Sequence, residues 1–262
     1  MEEHVPKDVK VTVTSSPRRG IDTTLRLAEE LARRGFAVAP HVSARLVRDD
    51  SHLREVVERL RAMGARDALV IAGDVDRPAG EYAGAADLLF RLAKLGHPLD
   101  EVGIAGYPES HPLIDDEATI AAMFEKEPFA TYIVSQLCFD PAVIAGWIAG
   151  VRERGVRLPV YVGIPGVVSN TKLLRISRRI GVGESARFLG KHANRVVRLL
   201  LPGGYRPDRL LEGLAQAVSG PEHVAGFHVY TFNEVEKTEA WRRRLTARVR
   251  ADQEAVREPA GE

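Results

Sequence analysis

One cysteine, Cys138, is all that this chain of 262 residues contains. No internal disulfide can form, and a zinc cluster built on thiolates is excluded. An excess of charge is also lacking, because Lys and Arg nearly cancel Asp and Glu to leave a net +1. That balance argues against a dedicated nucleic-acid surface. No apolar run approaches the roughly 20 residues of a membrane span. The start, Met1-Glu2-Glu3-His4-Val5-Pro6-Lys7, has no apolar signal core. The expectation is a cytoplasmic protein with neither a membrane nor a nucleic-acid partner. Familiar catalytic spellings are missing too. There is no phosphate loop with Gly-Lys-Ser/Thr, and no Gly-x-Ser-x-Gly elbow. Gly181–Ala186 spells a dinucleotide fingerprint, but a helical pattern over Thr171–Ile180 precedes it and no acidic residue follows about 20 positions on. It reads as a turn between helices.

What is present is an apolar fraction of 45%, enough for a sizeable core. Short apolar runs alternate with longer amphipathic ones. The runs Val9–Thr14, Phe36–Ser43, Ala68–Gly73, Val102–Tyr107, Tyr132–Leu137, Val160–Ile164 and Phe227–Phe232 predict strands. Between them Thr23–Arg34, Leu53–Met63, Tyr82–Lys94, Glu117–Phe124 and Pro141–Arg154 predict helices, with Gly35, Gly64, Gly96 and Gly155 as stops. Alternation of this kind implies a parallel sheet. Residues 1–262 are read as one α/β domain whose polar tail, 252–262, frays. A closed parallel barrel wants eight strands. Seven are found, since Val196–Leu201 continues a helical pattern from Ala186, and the first strand is expected to be the missing one. Open edges at Val9–Thr14 and Phe227–Phe232 would then invite pairing, and association into a homo-oligomer is expected.

Several strands run directly into polar residues, and the carboxyl ends of parallel strands are where active sites are built. Ala68–Gly73 delivers Asp74. Val102–Tyr107 leads into Pro108-Glu109-Ser110-His111-Pro112. Tyr132–Ser135 delivers Gln136, an amide in an apolar run whose burial is costly unless something pairs with it. Glu109 and His111, with Asp74 or His41, offer donors that suit zinc or iron. No paired His-x-x-x-His and no two-His-one-carboxylate spacing accompanies them, so no metal is expected.

These residues resemble the methylenetetrahydrofolate reductase family, in order, from about Val9 to Leu245. Val13-Thr14 is similar to the family's Val-Thr, and Ala39-Pro40-His41 to its Ala-Pro-His. Gly73-Asp74, followed by Tyr82-Ala83, resembles its Gly-Asp loop. Tyr107–Pro112 resembles Tyr-Pro-Glu-x-His-Pro, the most specific piece. Tyr132–Asp140 resembles a strand ending in Thr/Ser-Gln-x-x-x-Asp, Gly163–Asn170 a Pro-Val-Ser-Asn segment, and Phe227–Asn233 the last strand, Phe-His-x-Tyr-Thr-x-Asn.

The resemblance implies a (β/α)8 TIM barrel that reduces 5,10-methylenetetrahydrofolate, with NADH or NADPH as hydride donor by way of FAD. It implies that Thr14, His41, Tyr82, Ala83, Tyr107, His111 and Lys126 hold the flavin. Asp74 would stabilise a cationic folate iminium, and Gln136, Glu109 and Tyr230 would contact the folate. Some positions depart from the pattern. The family's first-strand glutamate, a general acid, has no match in context at Glu2 or Glu3. Ala72 stands where flavin-binding members commonly have arginine, Lys126 is the sole cation of the turn expected at the flavin pyrophosphate, and Thr171 replaces an aromatic. Two alternatives therefore stay open: direct hydride transfer to folate without flavin, and a non-catalytic barrel that binds folate or a partner.

Overall fold

The computed structural model of the chain describes residues 3–109, 116–179, 207–218 and 224–257. His111, the Gly181–Ala186 turn and the helical pattern from Ala186 through Leu201 lie outside the described residues. Among the described residues seven strands form one sheet in chain order: β1 (Val11–Val13), β2 (Val38–Ser43), β3 (Asp67–Ile71), β4 (Glu101–Gly106), β5 (Tyr132–Ser135), β6 (Val160–Pro165) and β7 (Gly226–Tyr230). Every neighbouring pair is parallel. The helices are α1 (Gly20–Arg33), α2 (Asp50–Ala62), α3 (Ala85–Leu95), α4 (Asp116–Lys126), α5 (Pro141–Glu153), α6 (Asn170–Arg179), α7 (Asp208–Ala217) and α8 (Val235–Arg257). The seven expected strands are all found. α8 runs on to Arg257, into the stretch expected to fray.

Local signals account for the helix ends. The Asp49 carboxylate accepts the His52 amide at 2.8 Å and starts α2. Asp140 does the same for Ala142 at 2.9 Å, with Pro141 as the first residue of α5. Once formed, each helix lays an apolar stripe on the sheet. Ile21, Leu25, Leu53, Val56, Leu60, Leu88, Leu92, Ile144 and Ile148 pack on the outward residues Val42, Val70, Val102, Ile104, Ile133, Val160 and Val162. Burying each large aliphatic side chain in this layer contributes roughly 1.5–3 kcal/mol.

The other face of the sheet is concave. Leu69, Tyr132 and Val134 form a separate cluster there with Ile71 and Tyr161. Strand spacing shows the curl. In a flat sheet β1 and β4 stand three spacings apart, about 14 Å. Yet Lys10, just before β1, bonds Asp67 of β3 at 2.6 Å and also Glu101 of β4. Only a sheet rolled towards a barrel brings those three strand starts together. Close packing inside the curl dictates two glycines. A Cβ on Gly103 would come within 2.5 Å of the Tyr132 ring, and one on Gly163 within 2.2 Å of the Ser135 carbonyl oxygen.

Candidate active site

Alternation along each strand decides which side chains enter the concavity. Lys10 points inward, so Thr12 and Thr14 share its face. On β2 the outward Val42 places His41 inward, and on β7 His228 and Tyr230 share the inward register with Gly226. Gly163 pairs with His228 and Pro165 with Tyr230. Tyr107 and Gln136 continue the inward rows of β4 and β5, where Gln136 N–H bonds the Gly106 carbonyl at 2.7 Å. All the strands are parallel, so Thr14, Asp74, Tyr107, Glu109 and Gln136 stand at one rim.

The electrostatics bind this group together. Burial raises the Tyr107 hydroxyl pKa, and the Asp74 charge adds to the shift. Burial also raises Tyr230, with Tyr107 as the second cause. The Tyr230 ring lies edge-on to His228, 4.7 Å between centroids, and its hydroxyl donates to the Ser135 carbonyl at 3.1 Å. Burial pushes His228 down to about 4. Burial, then the neighbouring His228, pushes His41 down to about 3. Both imidazoles are therefore neutral near pH 7. His41 is only 6% exposed, and among the described residues neither of its ring nitrogens has a hydrogen-bond partner. A buried polar group without a partner costs about 1–3 kcal/mol.

The other expected site residues divide. Asp74 is exposed, just past the left-handed Gly73 (φ 93°). Glu109 accepts from the buried Cys138 thiol at 3.1 Å, which ties the β4 loop to the β5 loop. Gln136 Oε1 accepts the Leu137 amide at 2.9 Å. Tyr82 is buried, and its hydroxyl donates to Asp50 at 2.6 Å. The Ala83 carbonyl accepts from Arg45 at 2.8 Å. Lys126 is not brought to the rim. It is the last residue of α4, next to Glu127, which accepts the Arg157 amide just ahead of β6. That is the strand-start side of the sheet. Burial lowers the Lys126 pKa, against an opposing pull from Glu125.

Sequence reasoning missed two residues of the rim. His228 carried a signal, since it precedes Tyr230 by two and a strand repeats its facing every second residue. Arg45 carried none, because its partners lie about 30 to 40 positions further along the chain.

Comparison with known proteins places the sequence in a family. The family model described as Methylenetetrahydrofolate reductase matches residues 1–188. Methylenetetrahydrofolate reductase 1 of Schizosaccharomyces pombe is 28% identical over 143 residues, which cover 51% of this chain and 23% of that protein. Methylenetetrahydrofolate reductase 2 of Saccharomyces cerevisiae is 24% identical over 200 residues, 70% of this chain and 32% of that protein. A Caenorhabditis elegans protein described as a methylenetetrahydrofolate reductase (NADPH) is 26% identical over 129 residues, 47% of this chain and 19% of that protein. The matched stretch is about a third or less of each relative. Because the family model spans well over half of the sequence and ends beyond β6, the chain belongs to the methylenetetrahydrofolate reductase family.

Proposed function

We propose that the chain reduces 5,10-methylenetetrahydrofolate to 5-methyltetrahydrofolate, with NADH or NADPH as hydride donor and FAD held in a (β/α)8-type barrel. One observation carries the reading. His41 presents two buried ring nitrogens to the concavity, and among the described residues neither has a partner. A neutral imidazole has one donor and one acceptor, which fit the edge of a planar heterocycle. Thr14, Tyr107 and His41 would hold a flavin from β1, β4 and β2, with Tyr82 and Ala83 behind the loop that carries Asp74. A bound flavin would supply the hydride. The protein's part is electrostatic. Asp74 would place a negative charge where the substrate's iminium is positive. The neutral state of His41 and His228 would keep opposing positive charge away. Gln136, with its oxygen occupied by Leu137, would donate its amide N–H to the pterin, and Tyr230 and Glu109 would border the folate.

The test is turnover together with colour. Purified protein is expected to absorb in the flavin bands, to bleach on addition of NADH or NADPH, and to recolour with 5,10-methylenetetrahydrofolate while 5-methyltetrahydrofolate forms. Absence of product with either donor would overturn the proposal. The place of Lys126 on the strand-start side favours a second reading, in which hydride passes directly from the nicotinamide to folate. A colourless protein that still turns over would establish that reading.

A further inference from the structure

The segment 72–84 that carries Asp74 is long for a connection inside a compact domain. Tyr82 ties its far end to Asp50, and Arg45, two residues past the end of β2, makes four hydrogen bonds to it. The Arg45 amide donates to the Ala72 carbonyl at 3.0 Å, and the Arg45 carbonyl accepts the Ala79 amide at 2.9 Å. Its guanidinium forks across the loop, with Nε donating to the Ala83 carbonyl at 2.8 Å and Nη1 to the Val75 carbonyl at 3.0 Å. Ala72 and Val75 bracket Gly73 and Asp74, so two of these bonds close on either side of the carboxylate. The loop also lies hard against this part of the chain. A Cβ on Gly73 would stand 3.1 Å from Ser43 Cβ, and one on Gly80 would fall 1.5 Å from the Arg48 carbonyl oxygen.

We infer that Arg45 is the positioning residue for Asp74: its fork fixes the loop so that an exposed carboxylate keeps one place above Tyr107. The inference rests on the reading of Asp74 as the charge that faces the substrate. An electrostatic group lowers a barrier only when it is fixed before the charge develops. An exposed side chain on a long loop has little of its own to fix it. Arg45 supplies the restraint from outside the loop, and its planar fork can reach two carbonyls at once in a way that a lysine cannot.

Arg45→Met removes the fork and leaves both backbone bonds. A misplacement of about 1 Å can cost roughly 100-fold in rate, so the expected loss in folate reduction lies between about 10- and 100-fold. Arg45→Lys, which keeps the charge, is expected to lose nearly as much. In an Asp74→Asn background the same substitution is expected to cost nothing further, because the charge it positions is already gone. Losses that multiply in the double variant would overturn the inference, as would a wild-type rate in Arg45→Met. Amide hydrogen exchange provides a readout that needs no turnover. In both Arg45 variants the amides of residues 73–84 are expected to exchange at least about tenfold faster while β2 and β3 stay protected. Unchanged exchange in that loop would overturn the inference even if the chain proved not to reduce folate.

Discussion

At the strand-start end of the sheet, Lys10 bonds Asp67 and Glu101, and Tyr132 donates to Asp67 at 2.8 Å. Towards the carboxyl end, about two residues further along each strand, the His41 ring bonds nothing among the described residues. Both ends bury polar groups in the same concavity, yet the lower end pairs charge with charge, while at the upper end Tyr230 bonds backbone and the His41 ring, among the described residues, has no partner. At the lower end, burial works against the Lys10 ammonium, but the two carboxylates outweigh it and its pKa is raised; at Asp67 burial outweighs Lys10 and Tyr132 and its pKa is raised too, so the pair is held by geometry at a cost in desolvation. At the upper end nothing opposes burial, and the imidazoles give up their charge. The difference separates stability from function. A paired network locks strand starts together, whereas unpartnered groups leave bonding capacity for a ligand.

The largest effect expected from this contrast is on catalysis. Asp74→Asn keeps shape and removes charge at the rim, and terms of this kind are worth about 2.7–4 kcal/mol, or roughly 10²–10³ in rate. Stopped-flow measurement is expected to show folate reduction slowed by that amount, flavin reduction much less affected, and the thermal midpoint unchanged. Gln136→Ala is expected to act mainly on folate binding instead.

The lower end should respond the other way. Lys10→Met leaves Asp67, with a side chain only 4% exposed, without its cation. Breaking a buried pair costs about 3–5 kcal/mol. Lys10 itself is 44% exposed, which brings the expectation to about 2–3 kcal/mol. Urea unfolding is expected to show that loss, with residual folded protein keeping its folate kinetics. A fall in kcat without a fall in stability would erase the contrast between the two ends.

Acid should act on the upper end. His41 and His228 have folded pKa values below the ordinary 6.5, so the unfolded chain binds protons that the folded one refuses. Their depressed values cost no stability at neutral pH, and stability falls as pH drops below about 6.5 towards 4. Each imidazole accounts for about 1 kcal/mol between pH 7 and 5.5. The thermal midpoint should decline across that window, and less steeply in His41→Gln. The smallest effect expected is a gain. His41→Leu removes an unpaired buried group and should raise stability by up to about 1 kcal/mol while weakening cofactor retention. A clear loss of stability would mean that the His41 ring is bonded.

How much of this was legible beforehand follows from the range over which each signal acts. The strands and the polar residues that close them come from period and neighbours, both local, and they emerged in the right order. The four glycines read as stops follow α1, α2, α3 and α5. Lys10 and Asp67 were not legible, because each looks like an ordinary surface charge until the curl brings residues 57 positions apart into contact. Arg45 was hidden for the same reason. Lys126, expected at the flavin, lies on the strand-start side because a motif gives sequence position, while a helix that runs back against its strand carries its last residue to the opposite side.

The seam between the first and last strands has a consequence in time. Val235, at the start of α8, packs on the cluster that Val13 of β1 forms with Val5, Ala28, Leu31, Phe36 and Val38, and the Arg243 guanidinium donates to the His4 carbonyl across 239 positions. A ribosome adding about 5–20 residues per second would finish β1 and then need roughly ten to forty seconds to deliver that cover. Until then β1 leans on α1 and β2, and its other edge stays open to a neighbouring chain.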